Sequence, residues 1–319
     1  MAELALRIIG HQPFNRIEYS ISSKPINYLL PSDSLGIVLS PGQFTVTMND
    51  SLVYAATHSK KGLRTGHSNN TNKNKIAIFG CSYTYGLGIN DQEVVSAQLN
   101  AMNHKMSFYN YAVPGYGTVQ GFYQLKALIE NHNAPDLAIF TFASFHVERN
   151  VMAPNYRKHL KIGYARAEPK QQVKMNAASF PYITIHNGNL AYKKVKWPEM
   201  YQNYWGREKS VLIDYLQSNI DKGKNNALRP QTSTLLLFEA IHELCEKHQI
   251  GLLVAGIDQH PITKEILDQL QQRQINTLDL MLPLENKEFN NAPYDTHPNK
   301  HAHQIYAQKI NTAVKKYLN

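Results

Sequence analysis

Three short segments of this 319-residue chain carry side chains that could do chemistry together. The first is Gly80-Cys81-Ser82-Tyr83-Thr84-Tyr85-Gly86-Leu87-Gly88, directly after the apolar run 76–79 (IAIF). A serine two residues beyond a strand, in a Gly-flanked turn, can lift its hydroxyl above the sheet edge. Nearby helix N-terminal amides can stabilise negative charge there. The second segment is Asn110-Tyr111-Ala112-Val113-Pro114-Gly115-Tyr116-Gly117-Thr118-Val119-Gln120. Its glycines let the backbone approach a ligand closely, so a free N–H could serve an oxyanion. The third is Tyr294-Asp295-Thr296-His297-Pro298-Asn299. An Asp and a His two apart, at a loop-to-helix junction, could supply a base and its orienting carboxylate. Each segment alone is ordinary. Ser and Gly are common turn residues, Asp295 could be only a turn residue, and His297 only a surface one.

The elements that must position these side chains follow an alternating pattern. Short apolar strands are expected at 76–79, 107–112, 137–142, 251–257 and 275–280. Amphipathic helices are expected at about 92–104, 119–131, 232–248, 263–273 and 299–318. The last places Ala302, Ile305, Tyr306, Ile310, Ala313 and Tyr317 on one side. Five such strands alternating with helices argue for a parallel sheet covered on both faces. Ligands in such sheets bind at the C-terminal strand ends, near a switch in strand order. The loops after Phe79, Ala112, Phe142, Ile257 and Leu280 are therefore where a site belongs.

Residues 1–73 differ from the remainder. They are rich in Ser, Pro, Asn and Thr, with alternating stretches at 42–48 (GQFTVTM) and 52–56, and read as a β-rich N-terminal segment. Residues 74–319 read as the main domain. An insertion at about 151–230 breaks its alternation and holds AYKKVKWPEMYQNYW, with both tryptophans. A long excursion after a strand end is either a lid or binding wall, or a packed structural detour. No internal repeat or low-complexity tract is present.

Taken in order, GxSxTxGxG after the first strand, NxxxPGYGTxQ after the second and DxHPN before the last helix resemble the SGNH hydrolases, the GDSL-like esterases and lipases. The resemblance runs from about Lys75 to the C-terminus apart from 151–230. The Lys61-Gly62-Leu63-Arg64 segment also resembles the lead-in of some members. It implies an α/β fold: a flavodoxin-like three-layer sandwich around a central five-stranded parallel sheet. It implies Ser82 as the nucleophile, with its own N–H as one oxyanion donor and the Gly115 N–H as another. His297 then matches the general base, Asp295 its orienting partner, and His303 a mostly structural histidine early in the last helix. Cys81 stands where the family usually has Asp, and the next residue holds the nucleophile position. No cofactor is implied.

One departure stands out. The family's third block puts an Asn, in an ND pair, after the third strand as a side-chain oxyanion donor. Here that pair falls on Phe145-His146, and phenylalanine cannot donate. Loss of one such donor typically costs about 3 kcal/mol, or roughly 10²–10³ in rate. His146 is the favoured substitute and Asn150 a second. Otherwise the site is slow or no longer catalyses. The function implied is a serine esterase acting on a carboxylic ester through an acyl-enzyme, such as an O-acyl group on a sugar or other small metabolite. An O-acyltransferase using the same residues, or a binding protein on the SGNH fold, are the alternatives.

Composition excludes several other classes. At 43% hydrophobic, 10% aromatic and 18% charged residues the chain can bury a core, which excludes disorder throughout. No apolar run approaches the roughly 18 residues of a membrane span. The start MAELALRIIGHQPF lacks a long apolar h-region, so a cytoplasmic protein is expected. Two cysteines cannot build a disulfide framework or a four-cysteine zinc site. The net charge of +9, from 33 basic and 24 acidic residues, is scattered, with Lys60–Lys61, Lys193–Lys196 and Lys315–Lys316 densest. That pattern reads as a solvated surface and argues against a nucleic-acid partner. A small-molecule ester is the expected partner. Gly66-His67-Ser68-Asn69-Asn70 starts like a nucleophile elbow, but its fifth residue is Asn rather than Gly. Gly115-Tyr116-Gly117 lacks the third glycine of a dinucleotide loop, and there is no Walker A sequence. His297, His301 and His303 cannot easily converge from one helix face, and no carboxylate cluster completes a shell, so no metal is expected.

Overall fold

The computed structural model describes residues 1–14, 20–65 and 74–315. The elbow-like Gly66–Asn70 run and Tyr317 lie outside the described residues. The chain opens with helix α1 (Ala2–Ile8), then strands β1 (Ile21–Lys24), β2 (Leu29–Ser32), β3 (Gly36–Leu39), β4 (Gly42–Met48) and β5 (Leu52–His58). β1, β4 and β5 form an antiparallel sheet, and β2 pairs with β3 as a hairpin. The alternation read at 42–48 appears as burial of Phe44, Val46 and Met48 on one face. Helix α1 was not expected from the β-like composition around it. It forms because Glu3 and Arg7 pair one turn apart, at 2.8 Å, and because Glu3 also anchors it to the start of another helix, whose N-cap is Ser210. Its carboxylate accepts from the Ser210 hydroxyl and the Leu212 N–H, both at 2.8 Å. Those hydrogen bonds, the Leu212 amide foremost, hold the Glu3 carboxyl down at about 2.

From β6 (Asn74–Phe79) the strand–helix alternation begins. Helix α2 (Ser82–Tyr85) and a 3₁₀ turn (Asp91–Glu93) precede α3 (Val95–Met102). Strand β7 (Met106–Asn110), α4 (Thr118–Glu130), β8 (Leu137–Phe142) and α5 (His146–Asn150) follow. Then come α6 (Pro154–Arg166), α7 (Pro169–Met175), the antiparallel pair β9 (Ser179–His186) and β10 (Asn189–Lys196), and α8 (Val211–Ala227). The chain closes with α9 (Pro230–Lys247), β11 (Gly251–Asp258), α10 (Pro261–Gln272), β12 (Thr277–Leu282) and α11 (Lys300–Val314). Every expected strand and helix of the alternation is present, with ends moved by a few residues.

The central sheet has the order β12-β11-β8-β6-β7, with its pairs parallel. This is a flavodoxin-like order, with its switch point between β6 and β8. The inner strands β8 and β11 are almost wholly apolar because both faces are covered. Ala77, Phe79, Ala138, Phe140, Leu252 and Val254 face α4, α9 and α10. Ile76, Ile78, Leu137, Ile139, Leu253 and Ala255 face α3 and α11. Successive residues thus serve opposite layers, as the two-residue period of a strand requires.

The N-terminal sheet packs on the loops of this sheet rather than on its faces. Phe44, Val46, Met48 and Tyr54 share a core with Tyr85, Leu87, Ala112, Val113 and Tyr116. Arg64, only 1% exposed, links the two parts. Its guanidinium donates to the Ala55 and Ile89 carbonyls at 2.9 Å each and pairs with Asp91 at 2.9 Å. The excursion after β8 has its own core of Met152, Tyr156, Leu160, Met175, Phe180, Trp197 and Met200. It sits against the β2–β3 hairpin so closely that a Cβ on Gly36 would lie 2.3 Å from the Phe180 ring.

Candidate active site

Ser82 opens α2 directly after β6. The backbone leaves the strand at Gly80, where a Cβ would fall 2.1 Å from Thr141 Oγ1. Only glycine therefore lets this turn lie against β8. Thr141 and Thr84 hydrogen-bond there at 2.5 Å, and Thr141 donates to the Phe79 carbonyl at 2.9 Å. The helix ends after one turn at Gly86, with φ +82°. Ser82 is 5% exposed, at the C-terminal edge of the sheet. Cys81 is fully buried, and burial raises its thiol above the usual range, so it holds its proton.

His297 lies in the loop before α11. Its Nε2 is 3.0 Å from Ser82 Oγ, and its Nδ1 is 2.5 Å from Asp295 Oδ1. The same carboxylate oxygen accepts the backbone N–H of His297 at 2.6 Å, so Asp295 fixes both the loop and the ring. Asp295 is 8% exposed. With Nδ1–H given to Asp295, the lone pair of Nε2 is left for the Ser82 hydroxyl proton. The edge of the Tyr83 ring meets the imidazole, with centroids 5.3 Å apart. Asn299 caps α11 through the N–H groups of His301 and Ala302, at 3.0 and 3.1 Å. Its amide also donates to the Glu288 and Asn290 carbonyls, both at 2.9 Å, which anchors the loop from behind. His303 accepts the Val95 N–H at 3.0 Å and joins α11 to the start of α3. Burial holds its imidazole down at about 3, in the neutral form.

The second loop is tied to the first by two bonds. Val113 N–H donates to the Gly80 carbonyl at 3.2 Å, and the Asn110 amide to the Thr84 carbonyl at 3.0 Å. Val113-Pro114-Gly115-Tyr116 is a turn closed by Tyr116 N–H on the Val113 carbonyl at 3.1 Å. Proline second and glycine third, with Gly115 at φ +88°, make it type II. The central peptide of such a turn points its N–H out of the turn plane. No acceptor for the Gly115 N–H is found among the described residues.

The third loop departs from the expectation of a donor at His146 or Asn150. The His146 ring is fully buried, with centroids 5.6 Å from Phe142 and 5.2 Å from Phe145. Neither ring nitrogen has a hydrogen-bond partner, and burial keeps the imidazole neutral. No hydrogen bond joins it to Ser82. The Asn150 amide is committed elsewhere: it accepts Val119 N–H and donates to Thr234 Oγ1, both at 3.1 Å. The structure thus brings Ser82, His297 and Asp295 together and leaves His146 and Asn150 bonded or packed away from them. The reason lies in the backbone. Ser144 N–H and hydroxyl both bond Asp258, at 3.0 and 2.5 Å, which turns the chain into α5 immediately after β8.

Sequence reasoning missed Tyr83, Arg149, Tyr156 and Asp258, which contact the site or its loops. No spacing or periodicity marks them. Among the described residues no three His, Cys, Asp or Glu side chains converge as metal ligands, and no helix is long and apolar enough to cross a membrane.

No protein-family model matches the chain, and none of the curated proteins does. Solved structures do. A psychrotrophic esterase, EstA, from Pseudoalteromonas is 13% identical, with 77% of this chain and 100% of that one covered and a TM-score of 0.42. A member of the lipolytic protein G-D-S-L family from Veillonella parvula is 11% identical, over 76% and 98%, with a TM-score of 0.39. The salicylyl-acyltransferase SsfX3 of a tetracycline biosynthetic pathway is 12% identical, over 88% and 59%, with a TM-score of 0.32. At these identities any argument for function rests on the chain's own residues. The fold itself, a five-stranded parallel sheet in flavodoxin-like order with helices on both faces and a small β-rich N-terminus, is the one that the resemblance to the SGNH hydrolases implies.

Proposed function

We propose that this protein is a serine esterase that cleaves a small carboxylic ester. One observation carries the reading: His297 reaches Ser82 Oγ at 3.0 Å with one nitrogen and Asp295 at 2.5 Å with the other. His297 Nε2 takes the hydroxyl proton as Ser82 Oγ attacks the ester carbonyl. Asp295 holds the ring in the required tautomer and stabilises the imidazolium. The N–H groups of Ser82 and Gly115 receive the developing oxyanion. His297 then returns the proton to the leaving alcohol, and a water activated by the same ring resolves the acyl-enzyme. The residues themselves need no cofactor for these steps. A soluble cytoplasmic setting fits this chemistry.

The reading is tested by intact-mass labelling with a fluorophosphonate probe, on the native protein and on Ser82→Ala. One adduct on the native chain, absent from the variant, is the expected result. Turnover of a short-chain aryl ester should fall by about 10⁴-fold or more in Ser82→Ala. A folded native protein that takes no label would overturn it.

A further inference from the structure

Apolar surface left in water is concentrated in one place. More than half of the large apolar side chains exposed among the described residues lie in segments 1–9 and 204–220, a small part of the chain. Trp205 is 94% exposed and Ile8 76%, with Leu4, Leu216 and Ile220 also in solvent. Single exposed apolar residues need no explanation, but a gathered set does.

Helix α8 gathers this one. Its buried side carries Val211, Gln217 and Asp221. At 3.6 residues per turn, Leu212, Leu216 and Ile220 form a stripe on the far side, with Tyr215 at one edge and Ile213 at the other. Ile213 meets the corner that holds Trp205: a Cβ on Gly206 would lie 3.1 Å from Ile213 Cδ1. The corner is tied to the helix, since Tyr204 N–H donates to Gln217 Oε1 at 2.9 Å. Trp205 thus stands beside the stripe. Helix α1 is pinned to the start of α8 by the Glu3 hydrogen bonds and by Arg7, which donates to the Lys209 carbonyl at 3.2 Å. It adds Leu4 and Ile8, one turn apart, to the exposed apolar surface.

The charges around this face do not balance. Its acids are engaged within the protein: Glu3 on α8, and Asp214 and Asp221 on the buried Arg207. Glu208 is not free either. Lys209, Lys222 and Lys224 are exposed and have no carboxylate partner among the described residues. Lys222 and Lys224 fall on the two flanks of the stripe, where their stems can lie along apolar surface while their ammonium groups reach outward. A second copy docking through the same face would set these lysines against themselves. An anionic surface would meet them with opposite charge. Tryptophan beside aliphatic residues, rimmed by lysines, suits the boundary between lipid headgroups and acyl chains.

We propose that α1, α8 and Trp205 form a face that docks reversibly on a membrane surface with anionic headgroups. Trp205, Leu216 and Ile220 enter the headgroup boundary, and Lys209, Lys222 and Lys224 meet the lipid phosphates. The contact does not depend on the Ser82 reading and leaves the sheet edge that carries Ser82 untouched.

The test is cosedimentation of the full chain with vesicles of phosphatidylcholine containing phosphatidylglycerol as the minor lipid, and with vesicles of phosphatidylcholine alone. Trp205→Ala, Ile220→Asp and the double variant Lys222→Gln/Lys224→Gln are compared with the native chain, with the thermal midpoint and solution mass of each. The native chain should bind the anionic vesicles, with its tryptophan emission shifted to the blue. Trp205→Ala should bind about tenfold more weakly and lose the shift, because Trp197 is already buried. Ile220→Asp should weaken binding by a similar factor. The lysine variant should lose about fivefold for each charge removed, and salt should release the native chain. The midpoints should not move, since every altered side chain is exposed. A native chain that ignores anionic vesicles, that binds neutral ones equally well, or whose variants bind as it does would overturn the proposal. So would a native dimer that Trp205→Ala converts to monomer, because the face would then join two copies of the chain.

Discussion

The loops after β6 and β8 occupy equivalent places, on adjacent parallel strands at the same sheet edge, yet they do different things. The first presents a polar side chain, Ser82, at the end of a glycine-flanked turn. The third buries its polar side chain, His146, between two phenylalanines and sends Arg149 toward a neighbouring backbone carbonyl. Each loop is braced by one charged group from another part of the chain. Arg64, from the N-terminal segment, holds the carbonyls of Gly86 and Ile89 behind the first loop. Asp258, at the end of β11, holds Ser144 of the third. The difference teaches that position at a sheet edge does not assign chemistry. What decides is whether the turn geometry points a side chain outward or back into the core.

The largest effect on this comparison should come from Arg64→Ala. It leaves Asp91 buried without its partner, and breaking such a pair costs about 3–5 kcal/mol. Urea unfolding should show this loss, and a cost near zero would mean that the first loop is not braced from the N-terminal segment.

Acid should act on the same brace. His58 donates from Nδ1 to the Ser40 carbonyl and accepts the Tyr85 hydroxyl at Nε2, each at 2.8 Å. Burial lowers its imidazole to about 4. Above pH 6.5 the ring is neutral in both folded and unfolded chains. As the pH falls from 6.5 to 4, the unfolded chain takes up a proton that the folded one refuses. Stability is therefore lost across that window, by about 3 kcal/mol, and levels off below it. His303, lowered to about 3, acts in the same direction. Unfolding free energies of the native chain and of His58→Gln, compared at pH 7 and pH 4.5, should show a shallower decline in the variant. Equal declines would remove His58 from this role.

Asp258→Ala should cost less, about 2 kcal/mol, because its carboxylate is partly exposed and water can replace some of what Ser144 and Thr263 lose. It should lower the thermal midpoint while the labelling rate of Ser82 changes little. A loss of labelling larger than the loss of stability explains would mean that the third loop shapes the nucleophile directly. The smallest effect should come from His146→Leu. Its nitrogens have no partner, so removing them is neutral or stabilises by about 1 kcal/mol, with turnover within twofold. A tenfold loss of turnover would return His146 to the role of a donor.

Much of this architecture is legible in the sequence. The short apolar runs at 137–142 and 251–257 read as strands buried on both faces, and β8 and β11 are buried in that way. The proline–glycine pair at 114–115 carries its turn type in its own conformational limits. The approach of Asp295 to His297 is local, because a carboxylate two residues before a backbone N–H folds back on it whenever the chain turns there. Helix α1 escaped notice because its partner, the N-terminus of α8, lies 207 residues away along the chain. Arg149 and Tyr156, which donate to the Tyr116 and Gly115 carbonyls, escaped for a similar reason: nothing in HVERN or PNYRK indicates that a hydroxyl and a guanidinium will converge on the Gly115 turn.

The sequence alone therefore determined what depends on neighbours along the chain: the alternation of strand and helix, the turns at Gly80 and Gly115, and the carboxylate beside His297. Propensity, hydrophobic period and allowed backbone angles act over a few residues and need no distant partner. Tertiary structure alone decided what depends on neighbours in space: that His297, 215 residues away, reaches Ser82, that His146 turns inward, and that Arg64 is wholly enclosed. Those outcomes are set by packing, where a side chain's place depends on the volume and hydrogen bonds that other elements leave it.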